Sequence, residues 1–370
     1  MTDQRAQQGS DILILGGGAI GLATALELAG RGLTVRVLER QQAGRESSWA
    51  GAGILSTLPP WNYGEAVRRL AEYSLSLYPD WVERLRQQAR TDPEYRTTGM
   101  AVLPPWEIDA VQAWIDTGGH AEPYLPDFVL RALPPESSGL WLPQVAQVRN
   151  PRLIQALREA LGQLGVMIET DTEVVSIDTT NARVTGIKTA RGPRQAENYV
   201  LCAGAWSSTL LGPLAGALAV RPVRGQILLY QAQPDRLPAI VYQADHYLVP
   251  RADGHILAGS TLEEVGFDKR TTQDAHVRLH AEVTRLLPDV AAHGPIRHWA
   301  GLRPGSHGNI PTIGRHPQLE NLYTNTGHFR YGATFAPGST RLLADLIQGH
   351  ASQIDTTPYA WPAAASSTLL

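Results

Sequence analysis

The N-terminal part of the chain alternates between short apolar runs and one amphipathic segment. Residues 12–15 form a continuous apolar run, which is typical of a parallel strand that is buried on both faces. A helical face of alanines and leucines follows: Ala23, Leu26, Leu28 and Ala29. Gly32 ends this segment, and residues 33–38 predict a second strand. The pattern predicts a strand–helix–strand unit of about thirty residues.

Three glycines lie at the boundary between the first strand and the helix: Gly16, Gly18 and Gly21. In this spacing the first glycine permits a tight turn, the second lets the backbone approach a pyrophosphate, and the third lets the helix pack closely on the strand. Glu39 ends the second strand, where its carboxylate can accept hydrogen bonds from both ribose hydroxyls and would repel the 2′-phosphate of NADP. Glycine-rich turns occur in many α/β folds, but the complete unit in register predicts a dinucleotide site.

Helical spacing returns in the segment after residue 64 and again near residue 150. Apolar positions 67, 70, 73 and 77 share one face, and because Pro79 interrupts the pattern we predict two helices there instead of one. Asn150 and Pro151 predict a further helix, with Asn150 as the N-cap and Pro151 as the first helical residue. That helix should reach about Leu164.

The remaining pattern is mostly that of strands. Residues 166–180 and 221–260 predict strands, residues 274–287 a helix, and residues 322–328 a last strand. A C-terminal helix from about 339 to 348 should then end at glycine 349. The tail, 351–370, has loop composition, and we expect part of it to be disordered.

Composition excludes several classes of function. The 370 residues are 43% hydrophobic and 18% charged, with a formal net charge of -3, and no run of five basic residues occurs. We therefore expect neither nucleic-acid nor membrane binding. No apolar stretch reaches the length of a membrane span, and the polar N-terminus lacks a signal-peptide core, so we expect a cytoplasmic protein. Cys202 is the single cysteine, which excludes an intrachain disulfide, and we predict no metal site.

Two segments bear on whether the dinucleotide is FAD or NAD. Residues 41–55, QQAGRESSWAGAGIL, are rich in small residues and include Ser47 and Ser48, which can donate to a pyrophosphate. An ordinary flexible loop would have a similar composition. In residues 199–208, YVLCAGAWSS, an apolar strand runs into Ala203 and Gly204, whose small size allows a second strand end to approach the same dinucleotide. Together the two segments favour FAD.

Six motifs occur in one order over nearly the whole chain: the glycine motif with Glu39, AGAGIL, CAGAWS, RPVRGQ, WAGLRPGSHGNIPTIG and GHFRYGATFAPGS. Together they resemble the D-amino-acid oxidase family of FAD-dependent amine oxidoreductases, and the last two are the specific ones. The resemblance implies an α/β (α+β) fold with a Rossmann-like FAD-binding domain and a substrate domain built on a large mixed or antiparallel sheet. The FAD-binding domain would comprise about 1–80, 148–218 and 308–350, the substrate domain 81–147 and 219–307, and the tail 351–370.

The resemblance also implies which residues form the site. Arg303 would bind the substrate carboxylate through its guanidinium fork, and the Tyr247 hydroxyl would reach the same carboxylate. Arg330 would bind the amine side of the substrate or close the pocket. Alternatively, Arg330 would only hold the C-terminal loop in place. Leu262 and Ile54 stand where the family has methionines in the pocket wall. The FAD-binding residues implied are Gly16, Gly18, Ala19, Ile20, Gly21, Glu39, Arg40, Ser47, Ser48, Gly51, Gly53, Ile54, Val174, Ala203, Gly204, Trp206, His328, Arg330, Tyr331, Gly332, Ala333 and Thr334.

The activity implied is oxidation of glycine, sarcosine or a small D-amino acid by hydride transfer to N5 of a non-covalently bound FAD. O2 would reoxidise the flavin and give H2O2, while N–H groups around Gly332 would stabilise the negative charge on the reduced flavin. The imine would be hydrolysed to glyoxylate and ammonia, or would feed thiazole synthesis for thiamine, with possible transfer to a thiazole synthase. The family also implies a homo-oligomer, a tetramer.

Three alternatives remain open at this point. A D-amino-acid dehydrogenase would reduce a membrane quinone instead of O2. A sarcosine oxidase would hold its flavin covalently through a cysteine, whereas Cys202 lies on the strand predicted beneath the nucleotide half. A non-catalytic FAD-binding protein would have no use for a carboxylate clamp, so Arg303 and Arg330 argue against it.

Overall fold

A computed structural model describes residues 10–362 and has the mixed α/β architecture that was predicted. Its strands are β1 Ser10–Leu15, β2 Val35–Leu38, β3 Ile54–Leu55, β4 Arg96–Thr97, β5 Met100–Val102, β6 Leu140–Leu142, β7 Ala146–Gln147, β8 Met167–Glu169, β9 Val174–Thr180, β10 Arg183–Thr189, β11 Gly192–Arg194, β12 Ala196–Leu201, β13 Arg221–Gln231, β14 Ile240–Gln243, β15 His246–Pro250, β16 His255–Gly259, β17 Arg297–Gly305, β18 Thr312–Arg315 and β19 Leu322–Thr326. Its helices are α1 Ala19–Gly30, α2 Ser47–Ala50, α3 Glu65–Gln88, α4 Ile108–Asp116, α5 Asp127–Leu130, α6 Asn150–Gln163, α7 Ser207–Leu211, α8 Gln273–Leu286, α9 Pro288–Ala291 and α10 Gly332–Gln348.

The first large sheet has the strand order β18-β19-β12-β1-β2-β8. β1 is paired in parallel with β2 on one side and with β12 on the other, so the predicted strand–helix–strand unit is confirmed. The helices α1, α3, α6 and α10 pack against one another over one face of this sheet, and their apolar residues form the largest core cluster. A second core cluster covers the opposite face of this sheet. It includes Leu13 and Leu15 of β1, residues of β10 and β12, and Trp361.

The second large sheet has the order β17-β13-β16-β15-β14-β5-β6 and is antiparallel apart from the parallel pair of β14 and β5. The eleven-residue β13 is the longest strand of this sheet, and it pairs with β17 along nine residues and with β16 along five. Its strands come from 100–142 and 221–305, whereas those of the first sheet come from 10–38, 167–201 and 312–326. The predicted domain limits stay a prediction.

The two sheets meet where α2 packs on β17. The indole Nε1 of Trp299 donates to the carbonyl of Ala50 at 3.1 Å. A side chain at Gly301 would collide with Ala50, since its Cβ would lie 2.5 Å from the Ala50 Cβ. This contact brings β17 beside the glycine-rich end of β1, so the ends of both sheets border one space.

Three predictions about elements are wrong. Residues 65–88 form one helix that contains Pro79, because Tyr78, Trp81 and Val82 continue its buried face while the proline is exposed, where water can bond the released carbonyl. The C-terminal helix begins at Gly332, not near residue 339, and includes Pro337. Asn150 is the first helical residue and makes no capping bond.

The tail is ordered as far as the structure describes it. Residues 357–359 form a 3-10 turn in which the buried Tyr359 donates its hydroxyl hydrogen to the carbonyl of Ala66 at 2.6 Å. Trp361 is also buried, against His316. The remainder of the predicted tail, 363–370, lies outside the described residues. Within the described residues, no helix has the length and hydropathy needed to cross a membrane.

Candidate active site

The glycine motif forms a turn that only glycine fits at two of its positions. Gly16 has φ +116°, and a Cβ there would lie 2.4 Å from the carbonyl oxygen of Cys202. A Cβ on Gly21 would lie 1.9 Å from the carbonyl oxygen of Gly16, so this glycine lets α1 approach the turn. The first turn of α1 borders a large cavity, where the positive end of the helix dipole favours an anion such as a pyrophosphate.

Two side chains hold this turn in place. The Glu39 carboxylate accepts from the N–H of Gly17 at 2.8 Å and from that of Gln41 at 3.0 Å. The Ser48 hydroxyl oxygen accepts from the N–H of Ala19 at 2.8 Å. Both side chains also line the cavity, so each can contact a bound nucleotide as well as the turn.

The helix α2 and the small-residue loop after it are held by two residues whose role the sequence did not reveal. The Asn150 amide donates to the carbonyl of Ser48 at 2.9 Å, which explains why it does not cap its own helix. The buried Arg251 donates to the carbonyls of Ala52 at 2.6 Å and Val148 at 3.0 Å, and to the Gln147 side chain at 2.7 Å. Burial lowers the pKa of Arg251 to about 10, which leaves it charged near neutral pH.

An aromatic residue covers the nucleotide end of the cavity. The Arg40 guanidinium lies 3.7 Å from the ring centroid of Trp206, within cation–π distance. Phe267, from the segment between β16 and α8, stacks on the same indole, with centroids 5.3 Å apart. Lys269, from the same segment, forms an ion pair with Glu46 at 3.0 Å. This segment therefore connects the antiparallel sheet with the nucleotide end.

Arg303 lies at the other end of the cavity, in β17 opposite Val223. Its Nη1 donates to the carbonyl of Thr261 at 3.0 Å and its Nη2 to the Ser260 hydroxyl at 2.6 Å. A Cβ on Gly225 would lie 2.0 Å from Nη1, so the guanidinium packs flat on this glycine. Burial lowers the pKa of Arg303, and nearby Tyr247 opposes that shift. Among the described residues it forms no ion pair with a carboxylate.

Tyr247 and Arg330 lie beside Arg303 and line the same cavity. Tyr247 is on β15, where its ring packs against Gly259 of the neighbouring strand. Arg330 is at the end of the loop that leads to α10, and its Nη1 lies 3.3 Å from an oxygen of Asp245. The sequence offered no signal for Asp245 or Ser260, because neither belongs to a recognisable pattern.

The loop before α10 brings further polar groups to the cavity. Burial lowers the pKa of His328 to about 3, so its imidazole is neutral. Its buried Nε2 has no hydrogen-bond partner among the described residues. The hydroxyl of Tyr331 accepts from the N–H of Leu58 at 3.2 Å, and Gly332 and Ala333 at the start of α10 also line the cavity.

One continuous cavity of about 420 Å³ joins these groups. It is lined by nearly all the residues that the resemblance implied, from Gly16 to Arg303, Tyr247 and Arg330, including Ile54. Three do not line it: Gly21 packs inside the turn, Thr334 is buried and donates to the carbonyl of Ile54 at 3.2 Å, and Leu262 is 53% exposed. Leu262 instead lines a smaller adjoining cavity, next to Glu263, which bonds Arg224 through two backbone hydrogen bonds.

The donor set fits FAD. The cavity combines a tight glycine turn at a helix N-terminus, an acidic residue at the end of β2 and a buried histidine nitrogen without a partner. Cys202 lines the cavity beside the glycine turn, with its carbonyl against Gly16, and burial raises the pKa of its thiol to about 12. A neutral thiol in that position does not suit a covalent flavin bond. No group of three or more potential metal ligands occurs in the described residues.

Comparisons with known proteins agree with this assignment. Residues 11–346 match the DAO family of FAD dependent oxidoreductases. The chain is 43% identical over 355 residues to a glycine oxidase of Pseudomonas aeruginosa, covering 94% of this chain and 98% of that protein. It is 34% identical over 354 residues to the bifunctional protein ThiO/ThiG of Synechocystis, covering 92% of this chain and 52% of that protein. The crystal structure of glycine oxidase from Geobacillus kaustophilus matches with a TM-score of 0.89 and 28% identity, covering 95% of this chain and 98% of that one. This chain therefore belongs to the DAO family and is an FAD-dependent oxidoreductase.

Proposed function

We propose that this enzyme oxidises a small amino acid, such as glycine, sarcosine or a small D-amino acid, to the imine and passes the electrons to O2, giving H2O2. The observation that carries the proposal is Arg303. It is a largely buried guanidinium that borders the cavity, and no described carboxylate pairs with it. A buried charge without a partner is costly, and a substrate carboxylate would supply the missing partner.

The arrangement around Arg303 suits a carboxylate clamp. Its bonds to Ser260 and Thr261, together with Tyr247, use at most three of its five N–H donors, which leaves two for a carboxylate. Two parallel N–H donors bind the two carboxylate oxygens in a fixed orientation. Tyr247 can add its hydroxyl, and the carboxylate would thereby fix the direction of the amine and the Cα–H bond.

The chemistry of oxidation itself belongs to the cofactor. When bound, FAD supplies the two-electron acceptor for the hydrogen and electron pair that leave the α-carbon. The protein's part is to hold the carboxylate, to orient the Cα–H bond and to exclude water. Hydrolysis of the imine from glycine would release glyoxylate and ammonia.

The names of the relatives support a link to thiamine. Two relatives are named glycine oxidase, and the relative in Synechocystis is named ThiO/ThiG and is about twice as long as the part that this chain matches. We therefore extend the proposal to the supply of imine or glyoxylate for thiazole synthesis, with transfer to a thiazole synthase. The homotetramer and the cytoplasmic location stay predictions.

The test is an oxygen-uptake screen of the purified holoenzyme with glycine, sarcosine, D-proline and D-alanine, beside the L-forms of proline and alanine. Peroxide is measured in the same reactions. Oxygen uptake with stoichiometric peroxide supports an oxidase. Flavin reduction without peroxide, followed by reoxidation by a quinone, would instead show a dehydrogenase. Failure of every amine to reduce the flavin would refute the proposal.

A further inference from the structure

A strained turn holds an acidic residue at the substrate end of the cavity. Ala244 and Asp245 form the two-residue turn between β14 and β15, and both have left-handed φ values, 42° and 72°. Hairpin turns of this kind strongly favour Asn-Gly, because an L side chain adopts two successive positive φ values only at a cost. Aspartate tolerates a positive φ better than most residues, so this turn permits an aspartate at position 245 but does not require one.

The Asp245 carboxylate contacts one of the two active-site arginines. Its Oδ1 lies 3.3 Å from Nη1 of Arg330 and accepts from the Tyr242 hydroxyl at 3.3 Å. The Asp245 side chain is 72% exposed, whereas that of Arg330 is 22% exposed. The carboxylate thus partly neutralises a largely buried cation while remaining open to solvent.

This ion pair separates the main cavity from a smaller one. Asp245, Arg330 and Ser260 line both the main cavity and an adjoining cavity of about 120 Å³. The exposed Arg278 lies in the wall of the smaller cavity and has no ion pair among the described residues; His246 and Leu262 also line it. Because Ser260 bonds Arg303 and borders both cavities, a substituent that extends from the carboxylate clamp toward the smaller cavity passes the Arg330–Asp245 pair.

The arginines at the substrate end differ in whether a carboxylate of the protein pairs with them. Among the described residues, Arg303 has no carboxylate partner and Arg330 has one, so the main cavity offers one unpaired cation at this end, while Arg278 lies beyond it in the wall of the smaller cavity. One substrate carboxylate would pair with Arg303. A second carboxylate, carried on the amine nitrogen or on the α-carbon, would meet Asp245 and would have to displace it from Arg330.

We propose that Asp245 is a specificity-determining residue that selects amines with one carboxylate and disfavours dicarboxylic amines. The inference rests on the proposed function, in which Arg303 binds the first carboxylate. Without Asp245, Arg330 and the nearby Arg278 would attract the second carboxylate, and the repulsion would be gone.

The test compares sarcosine with iminodiacetate, its dicarboxylic counterpart, in wild type and Asp245→Asn. We expect the ratio of kcat/KM for iminodiacetate to that for sarcosine to rise about tenfold, which corresponds to ~1.4 kcal/mol. The estimate is modest because Asp245 is exposed and water screens its charge. The gain should shrink in 0.5 M salt, since screening weakens exposed charge interactions. Asp289→Asn is the matched control, because it removes one charge from an Asp–Arg pair, with Arg236, that lines neither cavity.

A binding measurement separates this inference from the proposed function. Methoxyacetate and diglycolate are the oxygen counterparts of sarcosine and iminodiacetate, and neither is an amine. Their Kd values are measured by titrating the flavin absorbance of the oxidised holoenzyme. We expect wild type to prefer methoxyacetate, and Asp245→Asn to reduce that preference about tenfold. This binding outcome would support the inference even if the enzyme oxidised none of the amines. The absence of oxidation would refute only the proposed function.

Two results would overturn the inference: a wild-type enzyme that binds the two acids equally, or a preference that Asp245→Asn leaves at the level of Asp289→Asn. Should the asparagine variant lose FAD or fail to fold, Asp245→Gly replaces it. Glycine removes the same charge and suits the positive φ at this position.

Discussion

Replacement of Arg303 tests the carboxylate clamp directly. Arg303→Ala removes a largely buried guanidinium that packs on Gly225 and is oriented by Ser260 and Thr261. If two of its N–H groups bind the substrate carboxylate, the variant loses a bidentate, charge-assisted contact worth on the order of 2–4 kcal/mol. At about 1.4 kcal/mol per tenfold, apparent affinity for the substrate should fall roughly 30- to 1000-fold. Arg303→Lys should recover only part of this, because an ammonium group is not a fork.

The assay is stopped-flow reduction of the flavin by sarcosine and by an amine that lacks a carboxylate. We expect a large loss with sarcosine and a much smaller one with the second amine, because that amine does not use the clamp. Arg236→Ala serves as the control, since Arg236 is paired with Asp289 and lines neither cavity. FAD content should be the same in all variants.

Equal losses for both amines would show that Arg303 is structural and would refute the reasoning. The carboxylate would then need another partner. Arg330 would be the next candidate, and its pairing with Asp245 would have to break when substrate binds.

Three further predictions follow from the cofactor end of the cavity. Glu39→Ala should weaken FAD binding about tenfold, measured by titrating apoprotein with FAD, because the glycine turn loses a carboxylate acceptor; the reduction rate at saturating FAD should change little. Acid precipitation should release all flavin into the supernatant, since the thiol of Cys202 is buried and neutral; yellow colour retained in the pellet would contradict non-covalent binding. Arg251→Met should lower the free energy of unfolding by about 3 kcal/mol and speed FAD release, because carbonyl groups including that of Ala52 lose their donor; an unchanged Tm would show that the loop does not depend on this arginine.

The sequence by itself determined the elements that local patterns encode. The strand–helix–strand unit could be predicted because burial on both faces of β1, helical periodicity in α1 and the glycine spacing all lie within about thirty residues. The dinucleotide site could be predicted because the turn at Gly16 and the acidic end at Glu39 restrict the residue type at each position, whereas FAD was favoured over NAD by the small-residue segments 41–55 and 199–208 and by the motif resemblance. The candidate clamp at Arg303 came from motif resemblance, since a single arginine carries no periodic signal.

Tertiary structure decided what surrounds these motifs. Arg251 bonds a carbonyl 199 positions away, and Arg330 meets an aspartate 85 positions away. Asn150 was predicted to be an N-cap, but its side-chain amide donates instead to the carbonyl of Ser48, 102 positions away. Local rules rank the bonds that a side chain can make to its own segment, and they contain no information about which distant carbonyl or carboxylate the fold will place beside it. The same reason explains why the sequence led to Arg303 and Arg330 as predicted site residues but not to the aspartate that pairs with Arg330.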